Sequence, residues 1–533
     1  MRFSEKCLGC LRNHSPERMA GGFPAVIKQS GVFDAPLKRR KHHMDTIVSK
    51  AAKIRAQLDH PLIDGDSHIV EYSPVFLDYL KRAGGADTAA RFAKTMGAGF
   101  TLSGTGRKSW YAMTWEERRE TRLMRSPWWA LPTKNTLDRC TAMLPKLYHA
   151  RMDEVGLDFA VLYPSVGLMF NHNFADDEFR TAACHAFNEY TSDIYGPYAD
   201  RMTVAAVIPL NTPEEGIKEL EHARKLGLKV AMIPAYIRRP FPDLHKKHPE
   251  LAGRVNWMDS YGIDSEYDYD PFWAKCVELG FSVASHSGGQ GFDDRRSMSN
   301  YMYNHMGHFG AAGEMFAKSL VMGGVTRRFP KLRVACLEGG VMNGVRLYSD
   351  LFSRWEKRSL EALENLDPKN IDMELAHELF RKYGDKATLD KIDQLERTLM
   401  FGPRDIDEEV RDDFRAMQIT CEEDIRDLFI PHFYFGCEAD DPLSAVAFDR
   451  RLHPLNEQVR AIMSFDLGHW DVTDMTHATA EAYEMVEDGL ISPEDFRTFA
   501  YGNSVQLYAG PNPDFFKGTI VEKQVTKELA RAK

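Results

Sequence analysis

The sequence lacks the hallmarks of several classes of protein. Its 533 residues include only 8 cysteines, too few for a disulfide scaffold, so we expect a cytoplasmic protein with reduced thiols. No apolar run approaches the roughly 20 residues that cross a bilayer, which argues against a membrane partner. Acidic residues outnumber basic ones, 78 to 68, and the net charge is −10. A nucleic-acid surface would need a basic excess. A small-molecule ligand is therefore the expected partner.

What the chain does have is the composition of a globular protein, with 43% hydrophobic and 27% charged residues. Residues 1–43 show little periodicity and are predicted to be a disordered extension. The body is predicted to span residues 44–512, with a tail over 513–533. A single barrel with long insertions reaches this size.

Eight short apolar runs separated by helical patterns organise the body. They are predicted to be strands over residues 61–69, 159–164, 203–209, 230–234, 281–286, 332–337, 433–436 and 461–466. A capping box, Thr212 to Glu215, marks the start of the helix after the third strand. Strands buried on both faces and alternating with helices predict an α/β fold with a parallel sheet, closed into a (β/α)8 TIM barrel.

Two insertions interrupt this pattern. Residues 86–144 are rich in glycine, arginine and tryptophan, including Trp110, Trp115, Trp128 and Trp129. They either roof a pocket or simply pack onto the body. Residues 367–430 are charged, with helices predicted over 376–382 and 388–399. This second insertion is a candidate surface for contact between subunits.

The first strand carries the motif Asp66-Ser67-His68. Residues two apart in a strand point to the same side, so a carboxylate and an imidazole would face one point. Such a pair suits a divalent ion. Taken alone, the motif more often marks an ordinary strand end followed by a turn.

Other strands end in residues of the same kind. The fifth ends at His286, the sixth is followed by Glu338 and the eighth ends at Asp466. The carboxyl ends of all strands meet at one face of a parallel barrel. We therefore expect Asp66, His68, His286, Glu338 and Asp466 to converge there, as metal ligands or proton-transfer groups.

The motifs at these strand ends resemble the amidohydrolase superfamily, and within it the branch of aminocarboxymuconate semialdehyde decarboxylase and related aromatic-acid decarboxylases. The resemblance is carried, in order, by DGDSHIVE at 64–71, ASHSGG at 284–289, RFPKLRVACLEGG at 328–340, MSFDLGHWD at 463–471 and YGNSVQLYAG at 501–510. It spans most of residues 55–512.

The resemblance implies one divalent metal ion, zinc or manganese, held by Asp66, His68, His286 and Asp466. An acidic first ligand favours a harder ion such as Mn²⁺, although zinc also fits. The fourth strand has no lysine of the kind that bridges two metals in other members, which favours a mononuclear site. His469 and Asp471 follow the eighth strand and could orient a ligand or merely cap the loop.

One departure from the family pattern is Glu338, where the better-studied decarboxylases of this branch have histidine. Beside a metal, Glu338 would be an added ligand or a general acid or base with a raised pKa. His286, Asp466 and His305 complete the predicted catalytic set, His305 coming from the loop after the fifth strand. Arg295, Arg296 and Tyr301 from that loop are the predicted substrate-binding residues, since an arginine can bind a carboxylate in bidentate fashion.

The predicted function is non-oxidative decarboxylation of a small aromatic or unsaturated carboxylic acid. The alternative is hydrolysis of a C–N, C–O or C–C bond by an activated water. A third hypothesis is a binding protein on an inactive barrel. Such a protein would have no chemical reason to keep a coordinating side chain at every ligand position, so the sequence argues against it. A homodimer is expected because relatives commonly form one.

Overall fold

The computed structural model describes residues 48–97, 110–125, 127, 134–173, 176–251, 253, 255–287, 295–397 and 408–531. The chain divides into two units, Met1–Ile47 and Val48–Lys533. The predicted extension over 1–43 lies outside the described residues. All that follows concerns the second unit.

Strands form at all eight predicted runs, and Ile237–Pro240 and Asn256–Asp259 form a further pair that no run predicted. In chain order they are β1 (Ile63–Ile69), β2 (Phe159–Pro164), β3 (Met202–Val204), β4 (Ala206–Val207), β5 (Val230–Ile233), β6 (Ile237–Pro240), β7 (Asn256–Asp259), β8 (Ser282–Ser285), β9 (Val334–Cys336), β10 (Phe433–Cys437) and β11 (Arg460–Met463).

All strands except β6 and β7 pair in parallel, in the orders β1-β2-β3 and β11-β10-β9-β8-β5-β4. β3 and β4 are two parts of the predicted third strand, separated by Ala205. Beyond β11, the Asp466 amide donates to the Asp66 carbonyl (2.8 Å), and the His68 amide donates to the Leu467 carbonyl (2.7 Å). These bonds join the chain after β11 to β1. The predicted parallel sheet is confirmed.

Helices connect the strands and fill the insertions. They are α1 (Lys50–Gln57), α2 (Ser73–Gly97), α3 (Trp115–Thr121), α4 (Thr136–Met143), α5 (Pro145–Val155), α6 (Phe170–Asn173), α7 (Asp177–Tyr195), α8 (Pro213–Lys225), α9 (Pro242–Lys247), α10 (Asp270–Leu279), α11 (Tyr301–His305), α12 (His308–Met322), α13 (Val325–Arg328), α14 (Met342–Arg358), α15 (Leu360–Leu363), α16 (Met373–Tyr383), α17 (Lys386–Leu389), α18 (Glu408–Arg411), α19 (Glu422–Phe429), α20 (Ala478–Glu487), α21 (Pro493–Arg497), α22 (Asn503–Ala509) and α23 (Glu522–Arg531).

Local sequence explains several helix boundaries. The predicted capping box is present. The Thr212 hydroxyl accepts a hydrogen bond from the Glu215 backbone amide, and the Thr212 backbone amide donates to the Glu215 carboxylate. α2 continues past a kink at Gly85, where φ is +83°, into the region predicted to be insertion. The predicted helix over 388–399 is wrong, since α17 ends at Leu389 and a 3-10 helix follows over Ile392–Arg397. Leu395 is the only buried side chain in that short helix, so it has little apolar face to stabilise a longer one.

The end of the chain packs onto the body. Phe515 and Phe516, in the segment predicted to be a tail, are buried. The Phe515 ring stacks on that of Tyr508, and the Phe516 ring packs edge-on against that of Phe159 in β2. Among the described residues, no helix combines the length and apolar character needed to cross a bilayer.

Candidate metal centre

Asp66 and His68 lie on β1, which is buried along its whole length. The neighbouring carboxylate of Asp64 fixes this part of the strand. It accepts hydrogen bonds from the Ser67 hydroxyl (2.6 Å), the Asp66 amide (3.0 Å) and the Phe465 amide (3.1 Å). Asp64 therefore ties β1 to the segment that leads into Asp466. Its own pKa is raised to about 6 because it is buried.

The four predicted metal ligands come together at the carboxyl ends of the strands. The His68 Nε2 atom lies 2.9 Å from Asp466 Oδ1 and 3.5 Å from Asp66 Oδ1. The His286 Nε2 atom lies 3.2 Å from that of His68 and 4.0 Å from Asp66 Oδ2. These side chains are far apart in sequence and almost completely buried. Their role as ligands remains a prediction that this geometry supports.

The hydrogen bonds of the two imidazoles fix which nitrogens carry protons. The Nδ1 atom of His68 lies 3.2 Å from the Pro164 carbonyl, and that of His286 lies 3.2 Å from the Ser287 carbonyl. A carbonyl only accepts, so both Nδ1 atoms must donate. Burial lowers the pKa of both rings, that of His286 to about 3. Both rings are therefore neutral, and two bare Nε2 lone pairs face each other.

Some oxygens of the carboxylates around these nitrogens lack a hydrogen-bond donor. Asp66 Oδ1 and Glu338 Oε2 are buried with no hydrogen-bond partner among the described residues. Burial, reinforced by neighbouring carboxylates, raises the pKa of Asp66, Glu338 and Asp466 well above the usual range. Unpaired buried acceptors are costly. A divalent cation would satisfy the nitrogens and the oxygens together, so the residues fit the metal that the motifs predict.

The backbone at two of these residues is strained. Glu338 has φ +58° and Asp466 has φ +55°, in the left-handed region that costs a residue with a side chain about 1–2 kcal/mol. Both follow the ends of strands, β9 and β11. Strain of this kind persists where the surrounding structure imposes it, and it concentrates at functional sites.

Glu338 and His305 border the ligand cluster. Glu338 Oε2 lies 3.5 Å from His286 Nε2, and Glu338 Oε1 lies 4.0 Å from His305 Nε2. His305 ends α11, and its ring packs near Phe309 and Trp470, with centroids 5.5 Å and 5.3 Å away. Burial lowers the pKa of His305 to about 4. Both predicted proton-transfer groups thus lie at the cluster, and their roles stay predictions.

Of the predicted substrate-binding residues, Tyr301 lies next to His305. The Tyr301 ring is buried, 5.3 Å from that of His305. Arg295 is exposed, and the Arg296 Nη1 atom donates to the Arg122 carbonyl at 3.4 Å. The role of both guanidinium groups in substrate binding stays a prediction.

The first insertion contacts the loop that holds these residues. The Trp110 indole donates to the Met298 carbonyl at 2.7 Å, and Arg125 donates to the Ser299 carbonyl at 3.1 Å. The insertion thus packs against the segment that leads into α11. Trp128 and Trp129, which were also predicted to belong to it, lie outside the described residues.

Three further acidic or basic groups adjoin the cluster. His469 stacks on His68 with ring centroids 3.5 Å apart, and its Nδ1 atom lies 2.8 Å from Asp466 Oδ1. Its Nε2 atom pairs with the Ser165 hydroxyl at 3.1 Å. Burial raises the pKa of Asp471 to about 8 and that of Glu438 to about 7.

Glu438 was missed by the sequence analysis, although it directly follows β10. Its position directly after a parallel strand is the same signal that predicted Asp66, His286 and Asp466. Another missed group is Ser464, whose hydroxyl donates to Asp66 Oδ2 at 3.2 Å. Nothing in the sequence distinguishes that serine from other buried hydroxyls.

A family model described as Amidohydrolase matches residues 142–364. This match confirms the predicted resemblance to the amidohydrolase superfamily.

The chain also resembles solved structures. One is an amidohydrolase from Mycobacterium avium subsp. paratuberculosis, with 16% identity and a TM-score of 0.49 over 85% of this chain and 100% of that one. Another is dihydroxybenzoic acid decarboxylase from Polaromonas, with bound manganese and an inhibitor, at 15% identity and a TM-score of 0.45, covering 84% of this chain and 97% of that one. A third is 5-carboxyvanillate decarboxylase from Sphingomonas paucimobilis, at 15% identity and a TM-score of 0.42, covering 84% and 98%.

Proposed function

We propose that this chain is a metal-dependent enzyme in which Asp66, His68, His286 and Asp466 hold one divalent ion, zinc or manganese. The observation that carries the proposal is the pair of bare Nε2 atoms of His68 and His286, 3.2 Å apart and bordered by unpaired carboxylate oxygens. Without a cation, the carboxyls must take up protons to lie beside the bare nitrogens, whereas a divalent ion would compensate their charge directly. Such an ion would supply Lewis acidity and a template for substrate oxygens.

The reaction we propose is non-oxidative decarboxylation. Glu338 Oε2 lies 3.5 Å from His286 Nε2, at the edge of the proposed ion site, and we assign Glu338 the role of proton donor. It would transfer that proton to the substrate carbon bearing the carboxylate. The C–C bond then breaks, its electron pair returns to the unsaturated system, and carbon dioxide leaves. Solvent reprotonates Glu338.

The substrate class we propose is a small aromatic or unsaturated acid. The rings of Tyr301, Phe309 and Trp470 pack around that of His305, whose Nε2 atom lies 4.0 Å from Glu338 Oε1. Planar ligands stack on such rings. Arg295 or Arg296 would bind the substrate carboxylate.

Hydrolysis is the second candidate, and one observation favours it. Asp466 lies in the ligand cluster, with Oδ1 2.9 Å from His68 Nε2, and a bound cation would keep it ionised, so that it would accept a proton from an attacking water. In that reaction the new bond to carbon comes from solvent oxygen, whereas decarboxylation adds only a proton.

The wider architecture is part of the proposal. We infer that the bonds between β1 and the residues after β11 close the sheet into an eight-stranded (β/α)8 barrel. The described cysteines, Cys140, Cys184, Cys276, Cys336, Cys421 and Cys437, are all free, which suits a cytoplasmic enzyme. A homodimer would use α16, where Leu375, Leu379 and Tyr383 form an exposed apolar stripe at helical spacing.

Product analysis tests the reaction. Protein loaded with Mn²⁺ or Zn²⁺ would be incubated with a panel of hydroxybenzoates, unsaturated acids, esters and amides in isotopically labelled water. We expect carbon dioxide and no label from solvent oxygen in the organic product. Labelled oxygen in the product would support hydrolysis instead. His286→Ala should abolish turnover, whereas His149→Ala, which changes a half-buried histidine paired with Asp200, should not. Equal activity in the His286→Ala variant would contradict the proposal.

A further inference from the structure

A second group of metal-binding side chains lies on α7 and α8, away from the strand ends. His185 and Glu189 are one helical turn apart on α7, so they share a face. His222 projects from α8 towards them. One ligand atom from each residue lies within 4.8 Å of the other two. His185 and Glu189 are partly exposed, at 38% and 31% of their side-chain surface.

Contacts beneath the surface hold His185 in place. Its Nδ1 atom lies 3.2 Å from Glu219 Oε2, and the other oxygen of this largely buried carboxylate accepts from the Asn188 amide at 2.7 Å. Asn188 in turn exchanges two hydrogen bonds with the backbone of Val207 in β4. A carboxylate accepts, so Nδ1 donates. The Nε2 atom therefore faces Glu189, 3.7 Å away. The hydrogen bond with Glu219 raises the pKa of His185, so a metal ion competes with a proton for this nitrogen.

His222 completes the group. Its ring stacks on that of His185, with centroids 3.8 Å apart and an interplanar angle of 22°. Its Nε2 atom is buried and has no hydrogen-bond partner among the described residues. Burial also lowers the pKa of this ring, which favours the neutral form, in which one of the two ring nitrogens has a lone pair for a metal.

We propose that His185, His222 and Glu189 form a second metal site, which binds a transition-metal ion such as Zn²⁺ and links α7 to α8. Two imidazoles and one carboxylate are a ligand set that zinc accepts, with water in the remaining position. Glu219 would act as the carboxylate that orients a metal-bound histidine. Tetrahedral zinc with bonds of about 2.1 Å brings its ligand atoms to about 3.4 Å from one another. The lone pairs lie in the ring planes, so two nearly parallel rings must tilt relative to each other before both nitrogens can point at one ion. The partial exposure of the rings allows this movement.

This site is independent of the proposed catalytic centre. Its residues come from two helices on the outside of the sheet, and none belongs to the cluster at Asp66 and His286. The ion would brace two neighbouring helices and would take no part in the reaction.

Counting bound metal tests this proposal. Full-length protein, stripped with chelator, would be loaded with Zn²⁺, freed of excess metal and analysed. We expect His222→Ala and His185→Ala each to bind one equivalent less than the unsubstituted chain, with unchanged activity. Glu219→Gln should weaken this equivalent by about 10- to 100-fold in a calorimetric titration. His149→Ala, another partly exposed histidine with a carboxylate partner, should lose nothing.

Equal zinc content in the unsubstituted chain and both histidine variants would overturn the second site. An equal loss in His149→Ala would also overturn it, because it would indicate unspecific binding to surface imidazoles. Should a histidine variant fail to fold, Glu189→Gln carries the test, since it changes only a surface carboxylate. Unaltered zinc affinity in that variant would contradict the proposal.

Discussion

Because the backbone of Glu338 is left-handed, we expect glycine to be more stabilising than alanine at this position. Both Glu338→Ala and Glu338→Gly remove the carboxylate, so a comparison of the two isolates the backbone. Alanine still bears the left-handed penalty of about 1–2 kcal/mol. Glycine avoids it but gives the unfolded chain more freedom, which costs about 0.4–1 kcal/mol. The strain is larger, so the glycine variant should be more stable by about 1 kcal/mol.

Paired calorimetric and urea unfolding measurements in the presence of chelator would check this. In a body of this size, 1 kcal/mol corresponds to about 1 °C in Tm. The matched control is Glu484, an exposed residue inside α20, where glycine should instead be less stable than alanine by about 1 kcal/mol. If alanine is the more stable substitution at Glu338 as well, the backbone there is not strained, and the reasoning fails.

Three further predictions concern other parts of the fold. In Gly436→Ala, the added Cβ would lie 2.6 Å from Ser464 Oγ and displace the hydroxyl that orients Asp66, so metal affinity should fall about 10- to 100-fold. Gly196→Ala, with nothing within 4 Å, should leave the titration unchanged, and equal affinities in both variants would contradict this role. Burial lowers the pKa of His432 from 6.5 to about 4. As pH falls from 6.5 to 4, His432 therefore binds a proton in the unfolded chain but not in the folded chain. The free energy of unfolding should drop by about 3 kcal/mol over that range. Urea unfolding of His432→Gln should lack this component, and an unchanged pH slope would refute it. Finally, Leu379→Asp should convert a dimer to monomer in size-exclusion chromatography with light scattering, whereas Leu443→Asp, elsewhere on the surface, should not; a Leu379→Asp dimer would exclude α16 as the interface.

The features predicted well from sequence are those set by burial. β2 and β10 are apolar runs whose side chains are buried, and β1 is buried along its length although it carries Asp66 and His68. The convergence of Asp66, His286 and Asp466 follows from the direction of parallel strands alone. Position at a strand end, together with residue type, was enough to find them.

Other features have no such signal. The antiparallel hairpin of β6 and β7 carries arginine, proline and asparagine and only partly buries its side chains, so no apolar run reveals it. The left-handed conformations of Glu338 and Asp466 are imposed by packing, and a residue other than glycine gives no hint of them. The pairing of His185 with His222 depends on how two helices meet, which periodicity within each helix does not encode.

The central claim is that His68, His286, Asp66 and Asp466 share one divalent ion. Elemental analysis of the stripped and reloaded protein tests it most directly, by comparing the unsubstituted chain with His286→Ala and with the control His149→Ala. We predict that His286→Ala binds one equivalent of Mn²⁺ or Zn²⁺ less and that His149→Ala binds the full amount. Equal metal content in all three proteins would contradict the claim.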